Sequence, residues 1–260
     1  MSDSSLVQYE VSGGVATVSI NRPDAMNSFV QDVRFALTDA LRKASSDNDV
    51  RVVILTGVGR AFSAGADLSA GFPADMTIEA QLQREYRPAL DEIVTMPKPV
   101  IAAINGAAAG IGMSFALAAD LAVMGEKAFM LAPFSTISLV PDGGANWFLQ
   151  KQLGYKRAFQ LCIEAERIDA ARCLEWGLVN RVVPSEDVLQ NATEWANSLC
   201  ERAPLSVVAT KQAMRHAESS DWGSTFDLEA RMQTGLVGSA DNVEGVNAFF
   251  EKRAPKFIGK

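Results

Sequence analysis

From Pro99 to Ala119 the chain carries no charged side chain. The run is long enough to cross a bilayer, which takes about 20 residues. It is mostly Ala and Gly, has a proline at its start and holds Asn105 in its middle. That composition reads as a buried strand, a glycine turn and a close-packed helix inside a globular core, and it predicts no membrane span. A hydrophobic share of 48% against 21% charged gives enough apolar material for a large core.

The rest of the chain reads as an α/β fold. Leu6–Val11 and Val15–Asn21 flank Ser12-Gly13-Gly14, a predicted hairpin. Val30, Val33, Leu37, Leu41 and Ala44 recur at helical spacing within Asn27–Ala44. Val50–Thr56 and Val100–Ile104 are predicted buried strands, and Leu121–Met124 and Phe129–Leu131 shorter ones. Ile78–Thr95 has a helical pattern that ends at Pro97-Lys98-Pro99. After Pro184 the spacing predicts helices only: Ser185–Arg202, Pro204–Glu218, Phe226–Gly235 and Asn242–Arg253. A boundary near Glu201–Pro204 divides the chain into a core, 1–200, and a helical C-terminal region, 201–260.

Charge and cysteine content exclude several functions. The net charge is −7 and no Lys/Arg cluster stands out, so a nucleic-acid partner is not expected. Cys162, Cys173 and Cys200 form an odd set without metal or disulfide spacing, as in a reducing, cytoplasmic compartment. The N-terminal MSDSSLVQYE lacks the basic stretch of a signal peptide. His216 is the one histidine, so neither a His-based metal centre nor a redox cofactor is expected.

Two glycine-rich segments carry the chemistry. Gly57-x-Gly59 follows a strand, but Phe62 stands at the third glycine position and no helix follows at once, which rejects a dinucleotide fingerprint. The useful part is Ala61–Leu68 (AFSAGADL), whose small residues let backbone approach a ligand. The second is Asn105–Ser114, where a strand ends and a helix begins. Its free N–H groups and helix dipole favour a negatively charged oxygen. Asp142, in Leu139–Gly144 (LVPDGG), reads either as the N-cap of a helix beginning at Ala145 or as an acid/base.

AFSAGADL followed by KPVIAAINGAAAGIGMSFALAAD resembles the crotonase (enoyl-CoA hydratase/isomerase) superfamily. NRPDAMNSF, GLVNRVV and FFEKRAPKF resemble it too, over nearly the whole chain. The resemblance implies a spiral of ββα units with a helical C-terminal trimerisation region, a homotrimer or dimer of trimers, and an acyl-CoA thioester as substrate, with coenzyme A entering only as part of it. It implies that the N–H groups of Ala64 and Ile111 hold the thioester oxygen. It places Ala25, Met26, Ala64, Gly65, Ala66, Asp67, Leu68, Gly110, Ser114 and Phe134 along the substrate, with Lys252 or Lys256 reaching the nucleotide of a neighbouring copy.

The chain departs from the hydratase pattern at two places. Where the resemblance implies paired glutamates for adding water, it has Ser114 and Phe134, which offer no carboxylate. At LVPDGG it resembles bacterial isomerases of the same superfamily, including those of the phenylacetate pathway, in which the aspartate is the acid/base. The expected activity is 3-enoyl-CoA to 2-enoyl-CoA isomerisation, with Asp142 moving the proton. The alternatives are isomerisation of a ring or epoxide acyl-CoA, hydration by an atypical site, and acyl-CoA binding without turnover. Dehalogenation is discounted, because His216 lies far downstream and Phe134 stands where a tryptophan clamp is implied. Glu92 and Glu126 read as solvated, Trp147 and Phe148 as core.

Overall fold

The computed structural model describes residues 5–71 and 75–260. Strands β1 Val7–Ser12 and β2 Val15–Ile20 form the predicted hairpin, followed by helix α1 Gln31–Ser46. Three strand pairs come next: β3 Val52–Gly57 with β4 Ala61–Ser63, β5 Val100–Ile104 with β6 Ala107–Ala109, and β7 Leu121–Gly125 with β8 Phe129–Leu131. Between the first two pairs lie α2 Ile78–Gln81, a π-helical stretch Leu82–Tyr86 and α3 Arg87–Thr95. Helix α4 Ile111–Ala118 joins the second pair to the third. The chain continues through α5 Ala145–Leu153, α6 Tyr155–Glu164, β9 Ile168–Asp169, α7 Ala170–Glu175, β10 Arg181–Val183 and α8 Val188–Cys200. It closes with α9 Pro204–Ala217, α10 Trp222–Leu236 and α11 Ala240–Glu251.

Each strand pair divides between two sheets. The larger has the order β1-β2-β3-β5-β7-β10, and all its neighbours after the hairpin are parallel. The smaller has the order β4-β6-β8-β9. Successive ββα turns therefore stack as the crotonase-type spiral that the resemblance implies.

Both faces of the larger sheet are covered, so its strands are apolar throughout rather than alternating. Val53, Leu55, Ala102 and Ile104 face the main core cluster, which also holds Val33, Leu37 and Leu41 of α1. The alternate residues Val52, Ile54, Ile101 and Ala103 face α8 through Val188, Ala192 and Ala196. The uncharged run from Pro99 becomes β5, β6 and α4, and every residue of α4 is buried. Among the described residues no helix is long and apolar enough to cross a membrane.

Two local differences from the sequence reading have clear causes. Helix α1 starts at Gln31 rather than Asn27, because Met26 and Asn27 take left-handed backbone (φ 51° and 57°). The helix predicted over Ile78–Thr95 widens to a π turn at Leu82–Tyr86. Pro88 follows one residue later and has no N–H to continue the ladder.

Helices α9 and α10 bury no residue fully, and Trp222, Phe249 and Phe250 are 81%, 78% and 76% exposed. Polar anchors tie this region to the core. Lys211 Nζ donates to the carbonyls of Ile93 and Lys98 and pairs with Asp120 at 2.7 Å, and Arg215 pairs with Asp120 at 3.0 Å.

Candidate active site

The loop after β4 is held from the N-terminal side of the chain. The N–H of Ala64 donates to the Met26 carbonyl at 2.9 Å. Ser63 Oγ donates to the Asn27 carbonyl at 2.9 Å and accepts the Gly65 N–H at 3.2 Å. The Asp67 N–H donates to the Phe29 carbonyl, whose own N–H donates to Gly65 O. The N–H of Ala66 donates to no acceptor among the described residues. Asn27, fully buried, fixes the support: its amide nitrogen donates to the carbonyls of Val58 and Ala61, and its oxygen accepts the Arg22 N–H.

This corrects the expected pair of donors. Ala64 cannot hold a thioester oxygen, because its N–H already serves Met26 across 38 positions of sequence. Two residues on, Ala66 is the open donor of the same loop. Ala25 and Met26, expected along the substrate, lie outside the cavity wall, and Met26 positions the loop instead.

Ile111, the other expected donor, lies at the start of α4. Gly110 ends β6 with φ +55° and caps α4, a backbone position that suits glycine. Its N–H donates to the Leu131 carbonyl at 3.0 Å. Ile111 is the first residue of α4, so its N–H has no intrahelical partner. The two loops touch: a methyl group on Gly65 would sit 2.7 Å from Ala109 O and 3.4 Å from Ile111 N.

Ala66 and Ile111 both line a cavity of ≈450 Å³, within the ordinary size of a small-ligand site. Ala64, Asp67, Leu68, Gly110, Phe134 and Asp142 line it as well; Gly65 and Ser114 support it from behind. Ala70, Gly71, Asp75, Met76 and Ile78 close one side. The expected acyl-pocket loop Ser69–Met76 thus contributes, except that 72–74 lie outside the described residues.

Asp142 is not a helix cap. The N-cap of α5 is Gly144, with no side-chain capping bond. The Asp142 main-chain carbonyl makes the turn instead, accepting the Ala145 N–H at 3.1 Å and the Ser114 hydroxyl at 2.8 Å. Ser114, fully buried, therefore places Asp142 rather than touching substrate or orienting water. Asp142 Oδ1 is buried and has no hydrogen-bond partner. Burial among apolar neighbours raises its pKa from 3.8 to about 6, against the lowering effect of its own backbone N–H.

The other acids of the cavity are occupied or exposed. Asp67 accepts from Ser69 and pairs with Arg22 at 2.9 Å, which hold its pKa at about 2. Glu85 pairs with Arg34 at 2.7 Å, and Asp75 is exposed.

Other expected residues lie elsewhere. His216 bonds to Ser224 Oγ at 3.1 Å and does not line the cavity. Glu92 pairs with Arg42 at 3.7 Å, and Glu126 is exposed. Phe148 is core, whereas Trp147 is exposed. Lys252 and Lys256 are exposed beyond α11. No group of three or more His, Cys, Asp or Glu gathers as metal ligands among the described residues. Sequence reading missed Arg34, Glu85 and Tyr86 on the cavity wall; an arginine within an otherwise apolar stripe of α1 is the signal that marks them.

Residues 10–260 match the family described as enoyl-CoA hydratase/isomerase. Over 254 residues the chain is 39% identical to a Rhodobacter capsulatus protein named probable enoyl-CoA hydratase, covering 98% of each. Over 256 residues it is 35% identical to the 1,2-epoxyphenylacetyl-CoA isomerase of Escherichia coli, covering 96% of this chain and 97% of that one. The fold superposes on the crystal structure of an enoyl-CoA hydratase from Bacillus anthracis with a TM-score of 0.92 at 31% identity, covering 98% of this chain and 100% of the other.

Proposed function

The chain belongs to the enoyl-CoA hydratase/isomerase family, and from that premise we propose that it moves a double bond, converting a 3-enoyl-CoA to a 2-enoyl-CoA. The observation that carries this reading is Asp142, a buried carboxylate oxygen without a partner and with a pKa near 6, on the wall that also presents Ala66 and Ile111.

The chemistry needs one base and one place for charge. The Asp142 carboxylate removes a proton from C2. The C–H electron pair forms the C1–C2 double bond of a dienolate as the thioester C=O pair moves onto its oxygen. The N–H groups of Ala66 and Ile111 stabilise that oxygen. When the dienolate collapses, the thioester carbonyl re-forms, the C1–C2 pair shifts to C2–C3, and the C3–C4 pair takes the proton from Asp142 at C4. A pKa near 6 suits both halves, since the group is largely ionised at neutral pH yet returns a proton readily. Water addition by a carboxylate pair lacks its second acid, because Ser114 serves the Asp142 carbonyl and Phe134 is apolar. Every group in this route comes from the chain itself, so turnover proceeds without metal, and EDTA leaves it unchanged.

A second reading, isomerisation of an epoxide or ring acyl-CoA, is favoured by the name of the Escherichia coli relative and by the polar side chains of Gln31, Arg34, Glu85 and Tyr86 on the cavity wall. The exposed Trp222, Phe226, Phe249 and Phe250 support assembly through the C-terminal helices into a trimer or a dimer of trimers. Light scattering at micromolar protein then gives three or six chain masses, and a monomer mass overturns the assembly.

The test of function is Asp142→Asn on 3-enoyl-CoA, read by the absorbance of the conjugated product. Turnover falls by about 10²–10⁴-fold, while acyl-CoA binding survives because the oxyanion donors are backbone groups. Near-normal turnover in the variant removes Asp142 from the mechanism. Binding without turnover of any acyl-CoA by the unaltered protein identifies a binding protein instead.

A further inference from the structure

Apart from Asp142, the cavity has a polar wall that the proposed reaction does not use. Arg34, buried in α1, pairs with Glu85 Oε2 at 2.7 Å and donates to the Phe29 carbonyl at 3.3 Å and to Tyr86 Oη at 3.2 Å. Gln31 Nε2 donates to Glu85 Oε1 at 2.7 Å. All four side chains line the cavity.

The network is unbalanced in one place. Tyr86 Oη accepts from Arg34, yet the tyrosine O–H donates to no acceptor among the described residues. Tyr86 is 3% exposed, and its ring is locked edge-on against Phe29 at 5.8 Å. Burial raises its pKa against the opposing charge and hydrogen bond of Arg34, and the charges of Asp142 and Glu85 add to the rise, so the hydroxyl stays a donor. Tyr86 also closes the π-helical stretch, a local irregularity found frequently at functional sites. A plain hydrocarbon chain laid against this wall leaves the hydroxyl dry and unpaired, which is costly. An oxygen atom on the acyl group satisfies it. The charge of Arg34 is already matched by Glu85, so a neutral oxygen fits better than a second carboxylate.

We propose that Tyr86, held by Arg34, Glu85 and Gln31, reads the acyl group, and that the cavity selects a coenzyme A thioester whose acyl chain carries a neutral oxygen acceptor (hydroxyl, keto or ether) beyond the reacting carbons. The inference rests on the acyl-CoA isomerase reading but is tested without turnover. Saturated thioesters cannot isomerise, so calorimetric binding of hexanoyl-CoA, 5-hydroxyhexanoyl-CoA and 6-hydroxyhexanoyl-CoA isolates recognition from chemistry. The expected result is that at least one hydroxy thioester binds roughly tenfold or more tightly than hexanoyl-CoA, and that Tyr86→Phe abolishes the preference without weakening hexanoyl-CoA. Equal binding of all three by the unaltered protein, or preference for hexanoyl-CoA, overturns the proposal even if the variant does not fold. A preference that persists in Tyr86→Phe overturns the role of Tyr86. Loss of 3-enoyl-CoA turnover with this preference intact would instead count against the isomerase reading alone.

Discussion

Two loops bring a carboxylate to the same cavity and treat it in opposite ways. In the loop after β4, Asp67 is fully engaged, with Ser69, Ser28 and Arg22 on its oxygens and a pKa near 2. In the loop before α5, Asp142 has a buried oxygen with no partner and a pKa near 6. The first loop aims a backbone N–H, so its side chains are consumed in holding the main chain still. The second aims a side chain, so its main chain is anchored through Ser114 and Ala145 while the carboxylate is left open. Unsatisfied groups at a cavity mark function more reliably than polar residues as such.

The largest expected effect comes from disturbing the backbone loop. Gly65→Ala adds a methyl 2.7 Å from Ala109 O at φ +92°. It should displace the Ala66 N–H and cut kcat/KM by about 10²–10³-fold, the usual result of losing one oxyanion donor. A folded variant with unchanged turnover would show that Ala66 is not a donor.

Next is the stability of Asp142→Asn. The folded pKa is raised above the unfolded one, so ionising Asp142 costs the native state nothing below about pH 4 and the full amount above about pH 6. The variant should therefore gain stability over the unaltered protein as pH rises through that window, by at most about 3 kcal/mol. Chemical denaturation at pH 4.5 and 7.5 measures it, and a variant that gains no stability over the unaltered protein between those pH values would contradict the raised pKa.

Ser114→Ala should be milder. It removes one hydroxyl donor from the Asp142 carbonyl, for about 1 kcal/mol of stability and up to roughly tenfold in turnover. Loss as complete as in Asp142→Asn would move the serine into the chemistry.

The smallest effect belongs to Asp67→Asn, where the half-buried ion pair with Arg22 contributes about 1 kcal/mol. That contribution is present above about pH 4 and fades as pH falls towards 2, because the folded pKa is depressed. Acid unfolding curves of the two proteins should converge there, with turnover at pH 7 changed less than about threefold. A collapse of turnover would make the two loops alike.

Much of the scaffold was legible in sequence because buried parallel strands and amphipathic helices carry strong local patterns. Val100–Ile104 and Phe129–Leu131 fall where their residues predict. Strands β4 and β6 were not legible: each is three residues long, and β6 is all alanine. At the site, the position of Ile111 at a helix start was legible from the glycines before it. The choice between Ala64 and Ala66 did not, since it is decided by a carbonyl at Met26 that no local pattern connects to the loop. Ser114 misled for the same reason, its partner lying 28 positions away. Asp142 was legible only as two alternatives, and the geometry of Gly144 at the helix start removes the cap.

The unpaired state of Asp142 is tested most directly by the pH dependence of kcat/KM on a 3-enoyl-CoA between pH 5 and 8. The rate should rise as the free enzyme loses one proton near pH 6 and then level off, and the residual rate of Asp142→Asn should lack that step. A flat profile in the unaltered protein, or the same step in the variant, would contradict the assignment of the acid/base to Asp142.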